Sequence, residues 1–275
     1  MQTYSWVGSR GSYLDEVHVT AVGEMLHVGR FGGSTAGGAH KNEDGLFALG
    51  DEAGEWVLAV LVDAHHTAAS AELLVGLFDR YAPQLADTCG RADAFAALEP
   101  AIVELLMGSE FRSACRGTTG ETSCLICFVK GAYLWWLSVG DCMAYLLHPE
   151  LAGLGQYALN QRQFYEWIGA RSALDLPVPC YTSGRRQLRF GANAIVLTTD
   201  GILDTADRRY RDPAHLYEAF FPRRKVGGNA IRDSGMDRSI RTVLEDARRD
   251  RVRDSATMLG FYWTCESPGL MPSDV

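Results

Sequence analysis

Hydrophobic positions along the chain follow two periods. Short runs without any charge mark buried strands, as in Trp56–Val62 (WVLAVLV) and Ala194–Leu197 (AIVL). Longer stretches with apolar residues every third or fourth position mark helices. Leu73, Leu74, Leu77, Phe78 and Tyr81 predict a helix from Thr67 to about Ala86, with Thr67 placed to cap it. Phe95, Leu98, Ile102, Leu105 and Leu106 predict a second from Ala92 to about Phe111, kinked or broken at Pro100.

The remaining segments are mostly strands. EMLHVGRFG and DGLFALGDEAGEWVLAVLVDA read as early strands, the latter folded about a polar turn at Asp51–Glu55. The stretch from Glu121 to Pro149 predicts two strands about a Lys130-Gly131 turn and a third after Gly140-Asp141. Tyr133, Trp135, Leu137 and Val139 share one face of its middle strand. Leu134, Trp136 and Ser138 share the other, so that strand is expected to be covered on both sides. QRQFYEWIGA reads as a short helix, RQLRFGANAIVLTTDG as a hairpin, and SATMLGFYW as the last strand. Helices are expected over Pro213–Phe221 and Asp237–Arg249, and a loose tail over residues 265–275. Neither an internal repeat nor a mid-chain linker interrupts residues 1–275, so one domain is expected. Many strands with few βαβ spacings give an α+β class, with antiparallel sheets covered by helices.

Composition narrows the function. With 47% hydrophobic residues the chain can build a core, and a net charge of −8 argues against nucleic-acid binding or charge-driven membrane binding. No run reaches the roughly 18 apolar residues of a membrane helix. The start of the chain lacks the basic and apolar regions of a secretory signal. Seven scattered cysteines fit a reducing cytoplasm. Cys124 and Cys127 form a C-x-x-C, but on a strand two residues three apart face opposite ways, so core thiols are expected there.

The candidate chemistry lies in acids at strand ends: Glu43-Asp44 in NEDG, Asp63 in VDAHH, Asp141 in SVGDC, Asp200 and Asp204 in TTDGILD, and Asp254 in RDSAT. Singly, each suits a turn. If they converge, their mutual repulsion calls for divalent cations, and hard oxygen donors favour Mg²⁺, Mn²⁺ or Ca²⁺ over Zn²⁺. In this order and spacing, over residues 29–262, NEDG, VDAHH, GETS, LSVGDC, TTDGILD and RDSAT resemble the metal-dependent protein serine/threonine phosphatases of the PP2C (PPM) family, of bacterial type.

The resemblance implies a four-layer αββα sandwich, two antiparallel β-sheets face to face and flanked by helices. It implies two Mn²⁺ or Mg²⁺ ions and a phosphoprotein substrate, hydrolysed by water without a phosphoenzyme. By the resemblance, Asp63 bridges both metals and Asp200 and Asp254 bind one. Glu43 and the Ala64 carbonyl reach the other, with Asp44 beside them. Asp141 and Asp204 match the acids of a third, weaker metal. His65 matches the histidine that protonates the leaving alkoxide; His66 has no such match.

The chain departs from the pattern in places. The family's phosphate-gripping Arg, four residues before the Glu, is Ala39 here, leaving His40 and Lys41 as nearby cations without an Arg fork. Weaker phosphate binding or a changed substrate geometry is expected. Ala64, His66 and Thr67 replace three glycines of D-G-H-G-G, and Ala64 is expected to restrict φ. Gly140-Asp141-Cys142-Met143 loses the basic residue of G-D-S-R, and the substrate flap is reduced to roughly Arg162–Arg186. A catalytically weak binding or regulatory module and a small-molecule phosphate monoesterase remain as alternatives.

Overall fold

The computed structural model describes residues 1–222, 235–267 and 269–270. In chain order its strands are β1 (Gln2–Val7), β2 (Val17–Val22), β3 (Leu26–Phe31), β4 (Asp44–Gly50), β5 (Trp56–His65), β6 (Glu121–Lys130), β7 (Tyr133–Val139), β8 (Met143–Leu147), β9 (Ile168–Gly169), β10 (Thr182–Gln187), β11 (Gly191–Thr198) and β12 (Ala256–Cys265). The helices are α1 (Ala69–Arg80), α2 (Ala82–Gly90), α3 (Ala94–Met107), α4 (Ser109–Gly117), α5 (Pro149–Ala152), α6 (Pro213–Phe220) and α7 (Gly235–Arg249).

Two antiparallel sheets result. One runs β1-β4-β5-β6-β7-β10, with β9 paired to β6; the other runs β2-β3-β12-β11-β8. Strand periodicity explains why they stack. In β5, Val57, Ala59 and Leu61 face the second sheet, while Leu58, Val60 and Val62 face α1–α4. In β11, Ile195 and Leu197 face the first sheet, while Ala194 and Val196 face α6 and α7. Each central strand therefore buries both faces, and three apolar layers form the αββα sandwich. The split C-x-x-C obeys the same rule: Cys124 lies in the helix-side layer and Cys127 between the sheets. Burial pushes the Cys124 thiol up to about 12, consistent with inert core cysteines.

Four local expectations are corrected. The single helix over 67–86 is two, broken at Tyr81, because Pro83 in the first turn of α2 cannot continue the hydrogen-bond ladder of α1. Thr67 still accepts a bond at Oγ1 from the Ala69 amide (3.3 Å). In the next block α3 runs through Pro100, and the chain breaks at Gly108 instead. Leu98, Ile102 and Leu106 bury one stripe of α3 on both sides of the proline and keep the two halves in one helix. The stretch 161–170 is not a helix: Ile168 and Gly169 pair with Thr122 and Glu121. Nor do β10 and β11 form a hairpin, since β10 pairs with β7 and β11 with β8 and β12. Asn193 closes the connection, accepting from the Arg189 amide and donating to the Arg189 carbonyl, so the chain crosses from one sheet to the other.

β1 and β2 extend the sheets beyond the expected strands, and β12 runs through Cys265. The Leu270 amide donates to Gln187. Of the tail, residues 268 and 271–275 lie outside the described residues.

Asn160 ties the second sheet to the first at the end where the acids lie. Its Nδ2 donates to Ser138 Oγ (3.0 Å) and the Cys142 carbonyl (2.8 Å), and its Oδ1 accepts from the Ala144 amide (2.9 Å). Asn160→Ala is expected to strand buried polar groups and destabilise the fold by about 2 kcal/mol. A urea midpoint matching wild type would refute this role.

Candidate active site

At one end of the sandwich the layer between the sheets changes from apolar to polar. Following the same faces outward, Leu46 gives way to Asp44, Leu61 to Asp63, Leu125 to Ser123, Leu197 to Thr199, and Leu259 to Thr257 and Ser255. The antiparallel register brings these positions together. Asp44 lies directly opposite Asp63, which lies opposite Ser123. Two carboxylates on facing positions repel, so this register would be unfavourable in an ordinary sheet.

Asp44 is fully buried and joins the sheets. Its Oδ1 accepts from Ser255 Oγ (2.9 Å) and its Oδ2 from Thr257 Oγ1 (2.7 Å) and Thr199 Oγ1 (3.2 Å). All three donors come from the second sheet or its ends, and each favours the charged carboxylate. Burial outweighs them and pushes Asp44 up to about 7. Asp63 is 4% exposed. Burial, then the charges of Asp44, Asp200, Asp254 and Asp141, raise it well above the usual carboxylate range. Asp200 is likewise pushed up to about 7, first by burial and then by Asp141 and Asp254. Asp254 stands at the open edge of the cluster. Loss of surrounding water raises it first and the charge of Asp204 adds to that, while the Ser255 amide and the nearby His65 pull it the other way.

Five of the expected acids thus share one electrostatic neighbourhood: Asp44, Asp63, Asp141, Asp200 and Asp254. Asp204 contributes to the fields at Asp200 and Asp254 but is exposed and paired with Arg211 at 3.2 Å. Glu43 is paired with Lys41 at 2.8 Å through Oε2. Lys41 also donates to the His66 carbonyl (2.6 Å), linking the NEDG turn to the VDAHH turn. His65, exposed at the end of β5, stands beside the cluster, and His40 is exposed at its rim.

The φ restriction expected at Ala64 does not arise, because Ala64 is an ordinary residue within β5. The left-handed residue is His66, at φ 72°. A side chain is therefore held there in a conformation that favours glycine.

Arg162 is not singled out by sequence reasoning. It follows Asn160, whose three bonds anchor that stretch of chain to both sheets, and its guanidinium reaches into the acids. Its Nη2 donates to Asp200 Oδ2 (2.5 Å) and Asp141 Oδ2 (3.3 Å), while Asp141 Oδ1 accepts from Ser123 Oγ (2.7 Å). A lone arginine in a polar loop gives no sequence signal for this. The hydroxyls of Thr199, Ser255 and Thr257 are missed too, although TTD and DSAT carry them beside the expected acids.

The donor chemistry suits a hard divalent cation. Glu43 Oε1 and Asp200 Oδ1 are buried carboxylate oxygens that accept no hydrogen bond. Such oxygens need a proton or a cation. Among the described residues no group of three or more His, Cys, Asp or Glu side chains is placed to hold a metal ion in this arrangement. Arg162 supplies the positive charge between Asp141 and Asp200 in this arrangement.

The site opens into a cavity of about 730 Å³ lined by Ala39, His40, Lys41, Glu43, Asp204, Asp250 and Asp254 and by Arg208, Arg211, Arg251 and Arg253. Ala39 itself is buried.

No protein-family model matches the chain, and no curated protein matches it in sequence. Solved structures do. A bacterial serine phosphatase, in a variant with one arginine replaced by glutamate, aligns over 96% of this chain and 98% of its own, at 13% identity and a TM-score of 0.59. RsbX in complex with magnesium aligns over 90% and 100%, at 13% identity and 0.56. Serine/threonine phosphatase Stp1 from Staphylococcus aureus aligns over 82% and 90%, at 14% identity and 0.56. The chain thus has the αββα fold of the bacterial serine/threonine phosphatases, the fold that its motifs led us to expect from the PP2C family.

Proposed function

We propose that the protein is a Mg²⁺- or Mn²⁺-dependent phosphatase acting on phosphoserine and phosphothreonine in proteins. One observation carries the reading: Asp200 and Asp254, from the second sheet, gather around the buried Asp44–Asp63 pair of the first at the sandwich end, and burial and mutual repulsion push the protonation of all four upward. Fold-level likeness to serine/threonine phosphatases supports it.

In this reading Asp63, Asp200, Asp254, Glu43 and the Ala64 carbonyl would hold two divalent ions, and Asp141 and Asp204 a weaker third. When bound, such ions lower the pKa of water and neutralise phosphoryl oxygens. The chain's own groups do the rest. Asp44, gripped by three hydroxyls, fixes the register of the sheets and places negative charge behind Asp63. His65 delivers a proton to the departing serine or threonine oxygen, a poor leaving group. Lys41 is committed to Glu43 and the His66 carbonyl, so it orients ligands more than it grips substrate. The guanidinium absent at Ala39 has a neighbour in Arg253: a methyl placed on Gly38 would lie 3.8 Å from Arg253 Cδ. Arg253 and His40 are our candidates for the phosphate contact.

A second reading, a regulatory module of low activity, draws on Arg162, which neutralises Asp141 and Asp200 from within the chain. Substituting Arg162→Ala separates the two. The phosphatase reading expects tighter Mn²⁺ binding by calorimetry and a lower melting temperature without metal. Unchanged Mn²⁺ affinity would favour the regulatory module.

Two tests address the chemistry. Mn²⁺-dependent phosphate release from p-nitrophenyl phosphate should vanish in Asp63→Asn. His65→Ala should lower turnover of phosphoserine peptides by about 10²-fold or more, yet barely affect p-nitrophenyl phosphate, whose leaving group needs no proton. Equal losses on both substrates would remove His65 from the acid role.

The raised carboxylates also set a pH dependence. Without metal, a buried acid near 7 keeps a proton that the unfolded chain releases near 4. Its contribution to stability is therefore greatest below about pH 4 and falls as pH rises to about 7. Divalent cations compete with those same protons. Saturating Mn²⁺ should raise the melting temperature strongly at about pH 7.5 and little at about pH 5. An equal shift at both values would contradict the assignment.

A further inference from the structure

The cavity lining carries five cationic side chains, Lys41, Arg208, Arg211, Arg251 and Arg253, beside the acids Glu43, Asp204, Asp250 and Asp254, although the whole chain has a net charge of −8. Arg211 is committed to Asp204 and the Leu203 carbonyl. No hydrogen bond or ion pair engages the side chains of Arg208, Arg251 or Arg253 among the described residues, and all three are exposed.

Their backbone placement is unusual. Arg208 has φ 54° and Arg251 φ 56°. A residue with a Cβ is disfavoured in this left-handed region, and Gly or Asn ordinarily fills it. Arg251 occupies the end of α7, where the Arg251 amide bonds back to the Arg248 carbonyl (3.1 Å) and Val252 to Ala247 (3.0 Å). That is a left-handed helix cap, a position usually given to glycine. Arg208 leads into the turn at Arg209–Arg211, its amide bonded to the Thr205 carbonyl (2.8 Å). These two hydrogen-bonded turns set where the side chains of Arg208 and Arg251 leave the backbone beside the cavity.

The two arginines approach the cavity from different segments. The 251–253 segment is fixed rigidly beside the site. The Ser34 amide donates to the Val252 carbonyl (2.7 Å), and methyls on Gly33 and Gly37 would stand only 2.2 Å from the Arg253 and Arg251 carbonyls. The 205–211 segment is tied down from α7, the Ala206 amide donating to Asp250 (2.8 Å) and Tyr210 to Asp246 (2.6 Å). The backbone that carries these arginines is thus held in place beside the cavity.

We infer that Arg208 and Arg251 form an anion subsite that selects phosphorylated segments bearing Asp or Glu beside the phosphorylated residue. The inference rests on the phosphatase reading for the identity of the substrate, but its charge preference does not depend on turnover. In this cavity Glu43 and Asp204 are already paired with Lys41 and Arg211. Arg208 and Arg251 have guanidinium groups unpaired among the described residues, so a peptide with acidic flanks is favoured over one with basic flanks.

The test uses three phosphoserine peptides of one length, flanked by Asp, Ala or Lys, on the full chain with Mn²⁺. Fluorescence anisotropy reads binding directly, and phosphate release reads KM and kcat. The Asp peptide should bind about five- to tenfold more tightly than the Lys peptide at low salt, with the gap narrowing in about 0.5 M NaCl. In Arg208→Gln/Arg251→Gln the ratio should fall to about two or less, and in Arg208→Glu/Arg251→Glu it should invert. Circular dichroism melts check that each variant is folded. Equal binding of the three peptides by wild type, or a preference that survives the double substitution, overturns the inference. So does selection of a small bis-phosphate over every peptide. Absence of phosphate release from any peptide, with the anisotropy ratio intact, would strike the phosphatase reading and leave the subsite standing.

Discussion

The structure is organised around the cost of keeping negative charges together out of water. Asp44 and Asp63 face one another across adjacent strands, and Asp200 and Asp254 arrive from the second sheet. Their repulsion is strong because the surroundings are poorly polarisable, and it would push the two sheets apart at this end. Three things oppose it: hydroxyl donors to Asp44, the guanidinium of Arg162 on Asp200 and Asp141, and the capacity of the cluster to take up protons or cations. The apolar layer between the sheets supplies the force that keeps the acids in place. Leu46, Leu61, Leu197 and Leu259 pack one step behind them, each worth about 2 kcal/mol of burial.

This arrangement explains why the best core-forming segments end in acids. A strand whose inward face is apolar along its length fixes the direction of the next residues on that face to within a narrow range. Aspartates placed there are aimed by the core itself. The loops need only close the gaps, and the connections at Asn160 and Ser34 do so with hydrogen bonds to the chain on either side.

Much of this is legible in the sequence. Uncharged runs identify the central strands, and period-two alternation places Cys124 and Cys127, and the two faces of β7, in the correct layers. Asp63, Asp141 and Asp200 stand out because each follows such a run, while Asp44 and Asp254 stand at or just before the start of one. What stays hidden depends on long-range contacts. Proline marks the break before α2 but not the one after α3, because packing on both sides of Pro100 outweighs its local penalty. The stretch 161–170 has helical spacing, yet the free edge of β6 offers backbone partners and wins. Arg162 cannot be found by pattern, since its role comes from a loop anchored by Asn160. Nor does anything local in the sequence say that Ser255 and Thr257 reach across to Asp44.

The central claim is that these acids meet in order to share cations. Anomalous scattering from a crystal soaked in Mn²⁺ tests it most directly. The account predicts two strong peaks with Asp63 between them, Asp200 and Asp254 on one and Glu43 on the other, and Arg162 displaced from Asp200. A soaked crystal with no manganese beside Asp63, and Arg162 still bonded to Asp200, would contradict it.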